Sequence, residues 1–474
     1  MGRCVVEGWA GAAMRAMADA DASRPADAEG VARWLRDAGV SVVALPFVDP
    51  SAIVRVKTIP VDRFPQVAEH GVGLSTLFNV AMSNDQFALR AGFIDGPSGD
   101  LRLRPDPAAV VPLAAMPGWA WAPVDQYTQE GEPYAGCPRA FARRMATGFG
   151  TRGLSVRAAF EFEFSMGLRW GDGSFEPAHT GPGYSDIALV ANHPFTLDLM
   201  TTMGAQGLEV QQFHPEYADG QFELSIAPRD PVGAADAAMI VRQTVRAVAQ
   251  RHGWVTSFAP RVEADTGNGV HLHLSVWEGE RNLLSGGDGP AGMEPRGEAF
   301  VAGILRTLAA LVAIAAPTPV SYLRLQPHHW SGAMRCWGVE NREAALRFVA
   351  GVTAATAGAA NVEVKPVDGT ANPYLAVGGM LAAGLDGIEH ALRLPPSTEE
   401  DPTSLAPDVL EERDIQQLPG SLPEATEQLA ASSLLREAMG EFLFETYLAT
   451  RRGEAEQYVG IHDDELIRRT RWRF

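Results

Sequence analysis

Cysteine is almost absent from the 474 residues: Cys4, Cys137 and Cys336 stand far apart and are odd in number. That excludes a disulfide framework and a thiolate zinc site, and it fits a reducing cytosol. Positive charge is short as well. The 39 lysines and arginines face 58 aspartates and glutamates, a formal net charge of −19, and phosphate-backbone recognition needs the opposite balance, so no nucleic-acid partner is expected. Long apolar runs are missing. The most apolar stretch, Leu308 to Pro317, is about half the length of a spanning helix, and Glu7 and Arg15 interrupt the N-terminal run where a signal peptide would need an apolar core. Val6 breaks the myristoylation pattern. No membrane partner and a cytoplasmic location are therefore expected. Lysine itself survives only at Lys57 and Lys365, the other basic residues being arginine; a lysine kept in such a chain hints at a position that resists the exchange. Finally, there is no G-x-x-x-x-G-K-[ST] loop, no G-x-S-x-G elbow and no dinucleotide fingerprint after a strand. Any nucleotide would have to be held by metal ions and arginines.

What is present is globular in composition, 46% hydrophobic and 20% charged, at a length that suits more than one domain. Residues 1–27 are Ala- and Asp-rich and read as a tail. Val31, Trp34, Leu35 and Ala38 then share a helical face that ends at Gly39. Two β-rich runs follow, Ser41–Val48 and Ile53–Ile59, around the turn signal Asp49-Pro50-Ser51. Residues 28–130 read as a small α+β domain, Gly131–Pro138 as a linker, and 131–474 as a larger domain. In the latter, period-two alternation at Ala159–Ser165, Gly207–Phe213, Gln221–Ala227 and Val270–Trp277 predicts antiparallel strands with one packed face. Helical patterns at Arg139–Phe149, Pro231–His252, Glu298–Ala315, Asn372–Leu392 and Glu424–Arg451 predict the backing layer. The fold class is α+β.

Four clusters can carry chemistry. In AAFEFEFS, Glu161 and Glu163 leave one strand face while Phe160, Phe162 and Phe164 leave the other. In HPEYADGQFELS, Glu216 and Glu223 flank the turn Ala218-Asp219-Gly220. In GNGVHLHLS, His271 and His273 share a face behind a glycine turn, and in VEVKPVDGTANPYL so do Glu363 and Lys365. Five carboxylates with one or two imidazoles and no thiolate select Mg²⁺ or Mn²⁺. Buried together, the five could not stay ionised without cations. Arg324, Arg335, Arg342 and Arg347 gather in one stretch, where guanidinium groups suit a polyphosphate and a carboxylate substrate.

The order of these clusters resembles the glutamine synthetase family: E-x-E at Glu161/Glu163, H-x-E with a glycine turn to Glu216/Glu223, G-x-G-x-H-x-H at His271/His273, S-Y-x-R-L at Ser321–Leu325, N-R-x-x-x-x-R at Asn341–Arg347, and E-V-K…ANPYL ending at Leu375. The R-V-K-T-I-P run at Arg55–Pro60 looks like the family's N-terminal domain and Ile415–Ala425 like its C-terminal part. The resemblance implies a β-grasp-like N-terminal domain and a large catalytic domain with a curved antiparallel sheet backed by helices. It implies ATP and two or more Mg²⁺ or Mn²⁺ ions per site, with Glu163, Glu216 and Glu223 on one ion and Glu161, His271 and Glu363 on the other. His273, Ser275, Arg342 and Arg347 fall to the nucleotide, and Arg324, Gly267 and Lys365 to the acid substrate. Arg342 and Glu363 take catalytic roles. The implied reaction activates the γ-carboxylate of glutamate as an acyl phosphate that a nitrogen nucleophile attacks, in a ring-shaped homo-oligomer, a dodecamer, with sites between adjacent subunits.

The departures from the pattern decide the nucleophile. Relatives that use ammonia carry a glutamate six residues after the arginine of S-Y-x-R-L, where this chain has Trp330, and an aspartate in the N-terminal domain, where Gly73–Asn79 has no acid. An ammonium ion would lose its charge partners, whereas Trp330 can cover a larger amine or sit beside a cationic one. The expected substrates are therefore glutamate and an organic amine, with ammonia-dependent glutamine synthesis and a catalytically silent relative as alternatives. His328 and His329 share the Trp330 loop, and one of them, with His329 as the candidate, can act as base near neutral pH. Lys365 stands where many relatives have arginine and Thr266 where many have asparagine. Asp401–Pro407 has no tyrosine, so adenylylation of that stretch is not expected.

Overall fold

The computed structural model describes residues 25–351 and 358–474. The tail expected over 1–27, with Cys4, lies outside them except for its last three residues.

The first part of the chain builds two small sheets around one core. Asp27 caps the helix Ala28–Asp37 by accepting from the Gly30 N–H at 2.7 Å, and the helix lays Val31 and Leu35 inward. Strands β1 (Val42–Val48) and β2 (Val54–Pro60) pair antiparallel, as the turn signal between them requires. Next come β3 (Val72–Ser75), β4 (Asp100–Pro105), β5 (Val111–Pro112), β6 (Trp119–Trp121) and β7 (Val124–Tyr127). Their orders are β2-β1-β6-β5 and β3-β4-β7, and Val43, Leu45, Ile59, Phe64, Leu101 and Leu103 fill the space between sheets and helices. The Gly131–Pro138 segment folds back on β7: Tyr134 N donates to the Gln126 carbonyl at 3.0 Å and its ring meets Phe442.

The rest is organised by an eleven-stranded sheet. It comprises β8 (Ser155–Arg169), β9 (Phe175–Pro177), β10 (Val210–Pro215), β11 (Gln221–Ile226), β12 (Val255–Ser257), β13 (Val270–Glu278), β14 (Arg281–Asn282), β15 (Met334–Val339), β16 (Ala344–Val349), β17 (Asn361–Val364) and β18 (Gln416–Gln417). The main path runs β10-β11-β8-β13-β17-β16-β15-β18. The four strands expected from alternation, β10, β11, β8 and β13, form one half of that path, so the α+β architecture with a large sheet backed by helices is the observed one. The sheet is not wholly antiparallel: β15 and β16 pair in parallel. Phe160, Phe162, Phe164, Phe222, Leu224, Leu272 and Leu274 are fully buried, and Phe164 stacks on Phe222. The helix Pro231–Arg251 packs against β8. It starts where Asp230 accepts from the N–H groups of Val232 and Gly233.

Two expectations change. The apolar helix is Pro295–Ala315, long enough by length and composition to span a membrane, but 83% of its most apolar window is buried inside the protein, against Pro373–Glu389 among others. The single helix expected over Glu424–Arg451 is three: Leu422–Ala430, Ser433–Met439 and Glu441–Glu456. Ser432 opens the second by accepting from the Leu435 N–H, and Gly440, at φ +80°, turns the chain where a side chain would be strained.

Candidate active site

The cluster residues meet because sheet register lines them up. Glu223 lies opposite Glu163 and His214 opposite Glu223. His271 lies opposite Glu161, and Glu363 faces His273 on one side and Arg347 on the other. Directly opposed residues on one face have Cβ atoms about 4.5–5.5 Å apart, so a row of charge crosses six strands. Alternation sends the phenylalanines of β8 to the other face. Glu216 joins from just past β10, held by its N–H on the Gln221 carbonyl at 2.9 Å.

Two groups of possible metal ligands form on this row: Glu161, His273 and Glu363, and His214, Glu216 and Glu223, each with ligand atoms within 4.8 Å of one another. His271 bridges toward the first, its Nδ1 3.0 Å from Glu161 and 3.1 Å from Glu363, while its Nε2 is 3.8 Å from Glu163. Glu163 accepts from the Gly269 N–H at 2.6 Å. Of the five glutamates only Glu363 is fully buried. Lys365 at 3.1 Å and Arg347 at 3.0 Å neutralise it. Burial alone would raise its pKa, but Lys365 and the two histidines hold it well below the usual carboxylate range. Burial also opposes ionisation of Glu161, and the hydrogen-bonded His271 at 3.0 Å together with His273 at 3.8 Å overcomes it. His273 answers oppositely: its burial is outweighed by Glu161, and its pKa is raised to about 9.

The second group has no lysine or arginine partner among the described residues. Burial raises Glu216, against a hydrogen bond from the Tyr184 hydroxyl and with a push from Glu163. Burial raises Glu223 too, against His214 at 3.0 Å. His273 Nε2 and His214 Nδ1 are buried with no hydrogen-bond partner among the described residues. Oxygen-rich groups with unmet imidazole nitrogens fit hard divalent cations.

The remaining candidate residues divide. Arg324 is buried, its Nη2 3.0 Å from His271 Nε2 and 3.3 Å from the Lys365 carbonyl, and it forms no ion pair with a carboxylate among the described residues. A Cβ on Gly269 would lie 2.4 Å from Arg324 Nη2 and 2.5 Å from His271 Nε2; glycine keeps that cradle open. The Gly267 carbonyl accepts from Gln221 at 2.8 Å. Ser275 follows His271 and His273 on β13, its hydroxyl accepting from the Trp277 indole at 2.8 Å. Arg342 is exposed with no ion pair among the described residues, near enough to Tyr184 to act on it electrostatically. Lys365 is buried beside the charged row, whereas Lys57 is exposed on β2, so only one of the two lysines lies in the candidate site.

Four residues fall elsewhere or differently. Arg335 pairs with Asp414 at 2.8 Å, away from the charged row, because β15 pairs with β18 there. His328 donates to or accepts from Thr403 at 3.0 Å in an exposed loop. His329 Nδ1 faces Arg261 at 3.4 Å; a guanidinium only donates, so the lone pair a base would use is engaged there. Burial, Arg261 and His328 together lower its pKa. Trp330 is half exposed at φ +50°, its ring edge-on to Tyr217 at 5.6 Å. Tyr217 meets Tyr184, which stacks on His214 at 4.7 Å. His214, Tyr184 and Tyr217 carried no assignment from the sequence. His214 alternates with Glu216 and was findable; the tyrosines depend on loop placement.

Residues 135–468 match the family model described as glutamine synthetase, catalytic domain. The γ-glutamylpolyamine synthetase GlnA3 of Streptomyces coelicolor is 45% identical over 92% of this chain and 94% of its own. The glutamine synthetase of Thermotoga maritima is 30% identical over 91% and 96%. Among solved structures, one described as a novel glutamine synthase homolog superposes with a TM-score of 0.82 at 33% identity, over 92% of this chain and 99% of that one. A GmaS/ADP complex superposes with a TM-score of 0.79 at 28% identity, over 93% and 98%.

Proposed function

Because the chain belongs to the glutamine synthetase family, we propose that it is an ATP-dependent glutamate–amine ligase, forming γ-glutamylamides of organic amines, with di- and polyamines as the favoured class. The observation that carries this is the pairing of an intact acidic row with an aromatic mouth: Trp330 against Tyr217 stands where an ammonia-using site would place a carboxylate. The polyamine class is supported by the GlnA3 relative.

In this reading Glu161, His271 and Glu363 hold one divalent ion, and Glu163, Glu216 and Glu223 another, with His273 and His214 beside them. Bound Mg²⁺ or Mn²⁺ offsets the carboxylate charge and neutralises phosphate oxygens. His273 and Ser275 line the nucleotide side. Arg347, fixed by Glu363, and Arg342, without an ion pair among the described residues, stabilise charge on the phosphoryl group in flight. Arg324 takes the α-carboxylate of glutamate beside Gly267, and Lys365 keeps that end of the pocket positive. A γ-carboxylate oxygen attacks the γ-phosphorus of ATP, giving γ-glutamyl phosphate and ADP; the amine nitrogen then attacks the acyl carbon, phosphate leaves, and the nitrogen gives up a proton. His329 can accept that proton once its Arg261 contact opens. A ring-shaped homo-oligomer, a dodecamer, in the cytoplasm completes the reading.

The test is glutamate- and ATP-dependent phosphate release over a panel of ammonia, monoamines, alkanolamines, aromatic amines and polyamines, with products identified by mass. Release with polyamines and a γ-glutamylpolyamine product supports the reading; release with ammonia alone defeats it.

A further inference from the structure

Beside Trp330 lies an acid that none of the roles above uses. Glu343 is only 7% exposed. Its Oε1 accepts from the Trp330 main-chain N–H at 3.1 Å, while its Oε2 is buried without a hydrogen-bond partner among the described residues. Leaving one oxygen of a buried carboxylate unmet is costly, and the neighbouring Lys365 is committed elsewhere: its Nζ bonds Glu363 at 3.1 Å. Burial raises the Glu343 pKa against the Trp330 N–H; Asp401 raises it further, and His328 and Lys365 lower it.

Its place in the site fixes what could complete it. A Cβ on Gly332 would sit 2.8 Å from Lys365 Cβ and 3.0 Å from Ala345 Cα, so the Trp330–Gly332 turn lies directly on Lys365 and the start of β16. Glu343 is thus set beside Lys365, toward the loop of His328 and Asp401, while Lys365 reaches Glu363 on the charged row. A nucleophilic nitrogen must work at the row. A second charged nitrogen on the same molecule would lie farther out, where the free Glu343 oxygen and the Trp330 ring are found.

We propose that Glu343 receives the second, non-reacting ammonium group of a diamine or polyamine, with Trp330 covering the methylenes between the two nitrogens, and so sets the enzyme's preference among amines. This rests on the glutamate–amine ligase reading. The test compares 1,4-diaminobutane with n-butylamine, of equal carbon length, using the full chain with ATP, glutamate and Mg²⁺. The wild type should favour the diamine in kcat/KM by at least about tenfold, as expected when a desolvated charge finds its partner. Glu343→Gln should collapse that ratio toward one, chiefly through the diamine KM, and Glu343→Asp should restore part of it. Should Glu343→Gln fail to fold by circular dichroism, the wild-type ratio and its fall with added salt decide. A wild type that uses both amines equally, or a folded Glu343→Gln that keeps the ratio, overturns the role of Glu343 but leaves the ligase reading standing. Phosphate release with ammonia supplied in a parallel vessel, and with neither amine, overturns the glutamate–amine ligase reading itself.

Discussion

Glu161 lies beside two histidines and has a second acid, Glu363, in reach of the same His271 imidazole. Removing it relieves crowding among carboxylates, so Glu161→Ala should fold normally by circular dichroism yet lose phosphate release by at least about 10²-fold, since charge stabilisation at the transferring group fails. Normal turnover with Mg²⁺ would show that this carboxylate holds no ion. Trp330→Glu restores an acid at the mouth and should raise glutamine formation relative to amide formation, measured by product mass; Glu343 and the acid-free Gly73–Asn79 stretch keep that gain small. At this scale the E-x-E and H-x-H patterns were legible because alternation on a strand fixes which side chains share a face. Glu343 was not: it stands inside N-R-x-x-x-x-R as an unremarked position, and only the packing of the Trp330 turn on β16 makes it part of the mouth.

Among the elements, β8 does most to define the site, presenting glutamates to one face and phenylalanines to the other. Phe162 is fully buried and packs on Phe160 and Phe258. Phe162→Ala should cost about 3–5 kcal/mol, read as a lower denaturant midpoint, with activity lost in proportion to unfolded protein; an unchanged midpoint would mean the aromatic layer does not hold the sheet. Four adjacent strands of the large sheet and several of its helices could be read from period and caps. The division of the last helical stretch was missed because Ser432 and Gly440 interrupt an otherwise continuous apolar pattern. The parallel β15–β16 pair was missed because strand direction is a tertiary property that alternation does not encode.

For the whole molecule, acid charge gathered on one sheet face means that stability and cation binding are linked. Mg²⁺ or Mn²⁺ at a hundred times its dissociation constant should stabilise the fold by about 2.7 kcal/mol, seen as a rise in melting temperature that chelation reverses; a melting temperature indifferent to both ions would argue that the row is merely a solvated face. The family was legible from the order of six motifs spread along the chain. The amine class was not, because it depends on loops whose contacts no spacing reveals: Trp330 on Tyr217, and Glu343 beneath the Trp330 backbone. The most direct test of the account is a competition in one vessel: the enzyme with glutamate, ATP and Mg²⁺, ammonia and 1,4-diaminobutane at equal concentration, and both products counted by mass. The account predicts γ-glutamyl-diaminobutane in large excess over glutamine; glutamine in equal or greater amount would contradict it.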